Sequence, residues 1–426
     1  MILERPLTEA MRPDGFPLSL EEYERAGGYR PARTMVSSMT PDQVITVVKD
    51  SGLMGRGGAG FLTGLKWSLV SSPSESPGPR YLIANGDEME PGAFKDRYLM
   101  EGNPHQLIEG MICAAFAIQA TDAFVFIRDH YFEAHDRVAR AIAEAYEKGY
   151  LGKRIFGSDY SLEMHIHESA GRYICGEETA LISALEGGRP VPRAKPPFPG
   201  VAGLFGRPTV VNNVETLCNI PHIVQKGAVW FRELSKTSQG GTKIYGVSGR
   251  VKKPGLWELP MGTSVRETIF DHAGGMLDGY AFRGVLPGGG STDFLVEQHL
   301  DTPMDYENIQ KAGSRFGTAT MIVLDDRACP VGFVANLMKF FAQQSCGWCT
   351  PCREGLPWLA RLLFKLERGE GTAEDIEILS EHTTKIWIGK TYCALAPGAI
   401  EPLQSALTYF KDDFTRHVTE KRCPWS

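Results

Sequence analysis

Hydrophobic positions along this chain switch between a period of two and a period near 3.6, which predicts strands alternating with helices. RYLIA (80–84), AFVFIR (123–128) and SLEMHIH (161–167) read as strands. Between and after them the pattern predicts helices from Asn103-Pro104 to about Ala120, over 131–148 and over 176–187. An earlier helix opens at Thr40-Pro41-Asp42-Gln43, with Thr as N-cap, Pro in the first turn and Gln in the capping-box position, and stops at Gly52. Such alternation calls for a mostly parallel sheet covered on both faces.

The pattern changes further along. Residues 1–36 read as irregular, with scattered prolines and glycines. A proline-rich connection (RPVPRAKPPFPGVAG) leads to a short apolar strand and Asn212-Asn213, and TSQGG (237–241) resembles a linker. TKIYGVSGRV, KKPGLWELP, AFRGVLP and TATMIVLDD then read as strands, with a helix near 264–272, which suggests a small β-grasp (ubiquitin-like) α+β domain. From about Val331 the pattern is helical and reads as a four-helix bundle. The expected divisions are an N-terminal extension (1–36), an α/β domain (37–240), the β-grasp domain (241–330), the bundle (331–420) and a short tail (421–426).

Composition narrows the class. In 426 residues, 42% hydrophobic and 23% charged residues suit globular cores. A net charge of −6 without a basic stripe argues against a nucleic-acid partner. Nine cysteines in so long a chain do not suggest a secreted disulfide scaffold, so a reducing, cytoplasmic setting is expected. The N-terminus has no signal core, and the longest apolar run, MICAAFAIQA, is too short to span a bilayer. Cys113, Cys218 and Cys329 read as small buried hydrophobes, and Cys423 lies in a tail expected to fray.

The strongest chemical signal is SCGWCTPCREG followed by KTYCALAPG. Cys346, Cys349 and Cys352 stand at C-x2-C-x2-C spacing and Cys393 is a distant fourth, which suits the corners of a [4Fe–4S] cluster. A structural zinc site is the alternative, although such sites usually show two separated cysteine pairs.

Gly55, Gly57 and Gly60 match G-x-G-x-x-G, but a helix and not a strand precedes them, so the Rossmann fingerprint fails its context. The small residues Gly57, Gly58, Ala59 and Gly60 would still let bare amides approach a phosphate or flat ring, with Arg56 and Lys66 adding positive charge; a tight structural turn is the alternative. The glycines at 274–275 and 288–290 read as plain turns. Asn85, Asp87, Glu88 and Glu90 follow one strand, and Tyr173, Gly176, Glu177 and Glu178 follow another, at the strand ends where open α/β sheets bind ligands. His165 and His167 share a strand face without a third metal ligand. HExxH, G-x-S-x-G and P-loop motifs are absent.

Together, GRGGAGFLTGLKW, NGDEMEPGAFKDR, GRYICGEETALISALEG, KPPFP, VNNVETL and SCGWCTPCREG resemble, in order, the NADH-binding flavoprotein (F-type) subunits of respiratory complex I and bacterial NADH–quinone oxidoreductase. The likeness runs from about residue 30 to 415; diaphorase subunits of NAD-reducing hydrogenases and NAD-linked formate dehydrogenases share the motifs. The resemblance implies a Rossmann-like domain for FMN and NADH, and a [4Fe–4S] cluster on Cys346, Cys349, Cys352 and Cys393. It implies that Gly55–Gly60, Arg56 and Lys66 hold the flavin, that Asn85, Asp87, Glu88, Gly176 and Glu177 reach its ring, and that Asn212, Asn213 and Thr216 hold its phosphate end.

By the same resemblance Phe61 and Phe198 stack on the adenine of NADH, while Glu90, Glu178 and Lys195 meet its ribose and phosphates. Tyr173 lies near the nicotinamide, so Glu90, Tyr173 and Glu178 are the residues expected closest to hydride transfer. Carboxylates at Glu90 and Glu178 would repel a 2′-phosphate and favour NAD over NADP; Glu90 could instead accept a proton or tune the flavin. Cys175 beside the site is open to a redox-sensing role. The implied partners are a thioredoxin-like [2Fe–2S] subunit and a larger multi-cluster iron–sulfur subunit, in a complex peripheral to the inner face of the cell membrane.

Overall fold

The computed structural model describes residues 4–425. The chain divides into two compact units. The first comprises the chain through Met89, Phe94–Ile244 and Glu258–Gly262; the second comprises Glu90–Ala93, Tyr245–Trp257 and the chain from Thr263 on.

The first unit is built on a four-stranded sheet: β1 (Tyr81–Gly86), β2 (Asp122–Ile127), β3 (Glu163–Glu168) and β4 (Thr209–Asn213). Their order is β3-β2-β1-β4 and every pairing is parallel. The alternation read from the sequence therefore produces a Rossmann-like sheet, with strand order reversing between β1 and β4. The helix Pro104–Ile118 is buried along almost its whole length, which explains its unbroken apolar run. Asn103 precedes it without making a side-chain cap; its amide bonds Gln106 instead (2.8 Å). At Gly110 this helix meets the helix Val214–Glu233 so closely that an added Cβ would lie 2.1 Å from the Leu217 carbonyl oxygen.

Residues 1–36 are not irregular where described. Helices span Leu20–Arg25 and Arg30–Ser38. Ser19 and Glu22 form a capping box for the first, and Pro31 starts the second. Both are held by polar partners far along the chain: Glu109 accepts the Tyr23 hydroxyl (2.6 Å) and the Ala32 amide (3.1 Å), and Tyr29 bonds His105 (2.9 Å). Helices of six and nine residues are marginal alone, so tertiary contacts decide them.

The second sheet runs in the order β6-β5-β8-β7, with β5 (Thr242–Ser248), β6 (Gly255–Pro260), β7 (Phe282–Leu286) and β8 (Thr320–Asp325). β5 pairs parallel with β8, and β7 antiparallel with β8, the arrangement expected of a β-grasp unit. In the second unit the C-terminal region is helical as expected, and helices at 330–344, 356–367, 373–385 and 395–409 are joined by a further one at 411–420. No helix among the described residues is long and apolar enough to cross a membrane.

Replacing Gly110 with alanine is expected to cost about 1–3 kcal/mol, because the new methyl group meets rigid backbone. Gly176→Ala, where the added Cβ meets no atom within 4 Å, is the control expected to leave stability unchanged. Urea denaturation of both variants distinguishes them.

Candidate functional site

Parallel pairing places Asn85, near the C-terminal end of β1, opposite Asn213 at the end of β4, with Ala84 opposite Asn212. These ends border the point where strand order reverses, the crevice in which doubly wound sheets bind ligands. The glycine loop reaches the same place. Met54 and Leu62 form a β-bridge that closes the loop, and Gly55 N–H donates to the Phe61 carbonyl (2.8 Å). A Cβ on Gly57 would lie 3.1 Å from Cβ of Asn213. Gly58 (φ 115°) and Gly60 (φ 67°) occupy backbone that only glycine enters freely.

The loop after β3 joins them. Asn85 Nδ2 donates to the Gly176 carbonyl (3.1 Å), and its Oδ1 accepts the Asp87 amide (3.1 Å). Glu177 caps the helix Glu178–Leu185 by accepting the amides of Thr179 and Ala180. Glu178 is not an unpaired charge. Its carboxylate takes Lys66 Nζ at 2.7 Å and Lys195 Nζ at 3.0 Å, while Lys195 also reaches Glu177 at 3.1 Å. Burial would raise Glu178, but Lys66 and Lys195 outweigh it and hold its pKa below the usual value. Tyr173 opens the short 3-10 turn ahead of this cluster. Phe61 (49% exposed) and Phe198 (59% exposed) present their rings to solvent.

Several expected ligand residues have other work. The Arg56 guanidinium is buried and donates to the carbonyls of Met54, Gly240 and Thr242, while its backbone amide donates to Thr216 Oγ1 (2.8 Å). The Glu88 carboxylate accepts the amides of Lys95, Asp96 and Arg97, the free donors at the start of the helix Lys95–Gly102. Asn212 Oδ1 accepts the Trp67 indole N–H (2.9 Å). Glu90 belongs to the second unit, where its Oε1 accepts the Ser291 amide (2.7 Å) beneath Gly289, which packs directly on its side chain. Cys175 is buried, and burial followed by the charge of Asp87 pushes its thiol up to about 12, so it stays protonated and shielded. His167 stacks on Phe126 (5.3 Å, 14°) and His165 lies 3.9 Å from Asp122, so neither imidazole is grouped for a metal.

Beneath the crevice lies a charge network absent from the sequence-based expectations. Lys95 Nζ contacts Asp96 (2.8 Å), Glu215 (2.9 Å) and Asn213 Oδ1 (3.3 Å). Lys243 Nζ contacts the same Glu215 carboxylate (2.5 Å), whose Oε1 also accepts the Ile244 amide (2.8 Å). Lys95, Lys243 and Glu215 have no exposed surface. Burial alone would raise Glu215; Lys243, Lys95 and Arg56 outweigh it and hold the carboxyl at about 2. The only cue in the sequence is charge inside apolar runs, in VNNVETLCNI and GTKIYGV.

The crevice fits a flavin nucleotide. Both oxygens of the buried Asp87 carboxylate lack a well-formed hydrogen bond. Burial pushes this carboxyl up to about 7, against opposite pulls from Ser169 and Arg128. Gly176 opens on free space and the glycine loop presents bare backbone, so there is room and an unmet partner for a polar heterocycle.

In the second unit, Cys346 and Cys349 stand on the loop after the helix Pro330–Gln344, and Cys352 lies in the short helical turn Pro351–Gly355 that leads into the helix Leu356–Glu367. Cys393 comes from the segment before the helix Leu395–Tyr409. Cys352 is pushed up to about 12, first by burial, with Ser345 opposing and the charges of Cys349, Cys393 and Cys346 adding to it. The four thiols therefore share one neighbourhood. Three thiols on one short segment and a fourth from elsewhere in the chain suit the corners of a cubane.

Residues 48–222 match the Nuo51 FMN-binding domain, 244–294 the SLBB domain, and 332–417 the NADH-ubiquinone oxidoreductase-F iron-sulfur binding region. The F-type subunits of NADH-quinone oxidoreductase in Salmonella typhimurium and Escherichia coli are each 55% identical over 415 residues, covering 97% of this chain and 93% of theirs. The chain belongs to this family of F-type NADH-quinone oxidoreductase subunits. The second such F-type protein of Rhizobium meliloti is 50% identical, covering 97% of each chain. An NAD+-reducing [NiFe]-hydrogenase structure superposes with a TM-score of 0.80 at 34% identity, over 96% of this chain and 67% of the other. The higher identity to the F-type subunits favours an NADH–quinone oxidoreductase over a hydrogenase diaphorase. The chain is an NADH dehydrogenase subunit with FMN and a [4Fe–4S] cluster as cofactors and NADH as substrate, and it is part of a multi-subunit complex.

Glu215 sits near 2 in the folded chain against an ordinary 4.5. Its contribution to stability is thus complete above pH 4.5 and lost as pH falls toward 2. Glu215→Gln leaves two buried lysines undercompensated and is expected to cost about 3–5 kcal/mol at pH 7. In chemical denaturation the gap between wild type and variant should shrink as pH is lowered through that window.

Proposed function

We propose that the β1/β4 crevice holds FMN, and that the paired charges and exposed aromatic rings beside it receive NADH. The observation that carries this reading is the convergence of three distant segments on one strand end: the glycine loop against Asn213, and Asn85 tied to Gly176. When bound, FMN supplies two-electron hydride acceptance from NADH and one-electron release toward the [4Fe–4S] cluster.

The chain's own residues then bind and orient. Amides of Gly57–Gly60 take the phosphate end, beside Asn213, and Asn85, Asp87 and Gly176 meet the ring. Arg56, Glu88, Asn212, Asn213 and Thr216 act by holding those loops, since their side chains are already engaged. Phe61 and Phe198 stack on adenine, and Tyr173 borders the nicotinamide. Glu178 with Lys66 and Lys195 forms a poised bridge: a nucleotide phosphate draws a lysine, and the released carboxylate is then free to take ribose hydroxyls and to repel a 2′-phosphate. On the sequence resemblance alone, Glu90 meets NADH or tunes the flavin.

We also propose the domain limits as 37–240, 241–330 and 331–420, flanked by the N-terminal extension and the tail. Electrons leave to a thioredoxin-like [2Fe–2S] subunit and a larger multi-cluster iron–sulfur subunit, in a cytoplasmic complex peripheral to the inner face of the membrane. Trp348 (61% exposed) and Tyr392 (43% exposed), each next to a cluster cysteine and in edge contact at 6.2 Å, offer an aromatic surface for such a partner.

The test is NADH–ferricyanide activity of the holoprotein together with EPR of the NADH-reduced state. Wild type should turn over and show the reduced cluster; a flavin-loaded protein whose cluster stays oxidised under NADH would overturn the reading. Glu178→Gln should lower the kcat/KM preference for NADH over NADPH by roughly tenfold, about 1.4 kcal/mol. Unchanged kinetics with both nucleotides would remove Glu178 from discrimination.

A further inference from the structure

A second group of ligand-type side chains stands in the second unit, made of residues other than the four motif cysteines. Cys329, Glu367, His417 and Cys423 place one donor atom each within 4.8 Å of one another. Two of these residues depart from the expectations set by their sequence context. Cys329 is not a hydrophobe among hydrophobes, and Cys423 is not in a frayed tail; it is 6% exposed.

The fold aims each donor inward. Cys329 is the N-cap of the helix Pro330–Gln344, its Sγ accepting the Gly332 amide (3.2 Å). Glu367 ends the helix Leu356–Glu367. His417 lies in the helix Lys411–Glu420, fully buried, and its Nδ1–H donates to the Asp413 carbonyl (2.7 Å). That bond leaves the Nε2 lone pair facing the group, the arrangement by which proteins orient metal-binding histidines. The chain then turns at Lys421 in left-handed backbone (φ 56°) and passes so close over Gly369 that a Cβ there would lie 2.2 Å from the Lys421 carbonyl carbon. This brings Cys423 back to the group, and Trp425 stacks on His417 (6.0 Å, 18°).

The distances fit one ion. Cys329 Sγ is 3.3 Å from Glu367 Oε2 and 3.4 Å from His417 Nε2, and those two atoms are 3.3 Å apart. A tetrahedral zinc, with sulfur at about 2.3 Å and nitrogen or oxygen at about 2.0–2.2 Å, has edges of about 3.5 Å between sulfur and nitrogen or oxygen and about 3.3 Å between nitrogen and oxygen. Two thiols, an imidazole and a carboxylate form a donor set suited to a borderline-soft divalent ion.

We propose that Cys329, Glu367, His417 and Cys423 bind a zinc ion that straps the C-terminal segment to the helical region, separately from the [4Fe–4S] cluster. Its binding free energy would stabilise the strap directly, because the unfolded chain lacks the site.

The full chain, carrying its flavin and cluster, is equilibrated with stoichiometric zinc, dialysed, and measured for metals and zinc K-edge absorption. The expected result is one zinc per chain with about two sulfurs at about 2.3 Å and two lighter ligands at about 2.0–2.1 Å. His417→Ala should lose the zinc while iron and acid-labile sulfide stay at wild-type levels. Cys423→His, which keeps four donors, should retain zinc with one sulfur fewer, so the proposal remains testable if the alanine variant fails to fold. Absence of bound zinc, a spectrum with four sulfurs, or an unchanged sulfur count in Cys423→His would each overturn it.

Discussion

The buried carboxylate of Glu215 is the constraint on which the β1/β4 crevice depends. It is shared by Lys95, which opens the helix following the β1 loop, and by Lys243, which lies at the start of β5. Glu215 itself begins the helix that leaves β4. One ion group therefore clamps the segments leaving both strands that border the crevice. Three charges without exposed surface are costly to bury, and they persist only because each finds a partner at hydrogen-bond distance. Removing one partner leaves the cost of the others uncompensated, so the group behaves as a unit.

Above this clamp, the polar side chains sort into two kinds. Arg56, Glu88, Asn212 and Thr216 satisfy backbone amides, carbonyls or an indole, and so set the loops in place. Asp87 keeps a buried carboxylate whose oxygens lack a well-formed hydrogen bond, and Phe61 and Phe198 leave their rings exposed. The Lys66–Glu178–Lys195 bridge lies between these kinds, because its charges are balanced yet accessible enough to exchange partners. Rigid positioning beneath and unmet polar groups above are what a cofactor-binding cleft requires.

Cysteine usage shows a similar division. Four thiols act on one another's charge in one neighbourhood, while two others meet a histidine and a glutamate at single-ion spacing. Both arrangements use thiols from segments far apart in the chain, yet only the first carries a compact spacing motif. The C-x2-C-x2-C signal is local because one loop supplies three corners of a cubane. The second group takes each donor from a different element, so no spacing rule points to it.

The chain's order alone determined the strand–helix alternation, the β-grasp segment, the helical C-terminus and the thiol spacing that marks an iron–sulfur region. Each of these is encoded over a few residues, in periodicity, capping or thiol spacing, as the Thr40–Gln43 capping box illustrates. Tertiary structure decided the helices at 20–25 and 30–38, the commitment of Glu88 and Arg56 to backbone, the pairing of Glu178 with two lysines, and the burial of Cys423. Those outcomes depend on partners many residues away, such as Glu109 for Tyr23 and Gly240 for Arg56. A side chain's chemistry can be read from its letter, but whether that chemistry remains available depends on which distant donor or acceptor reaches it first when the chain closes on itself.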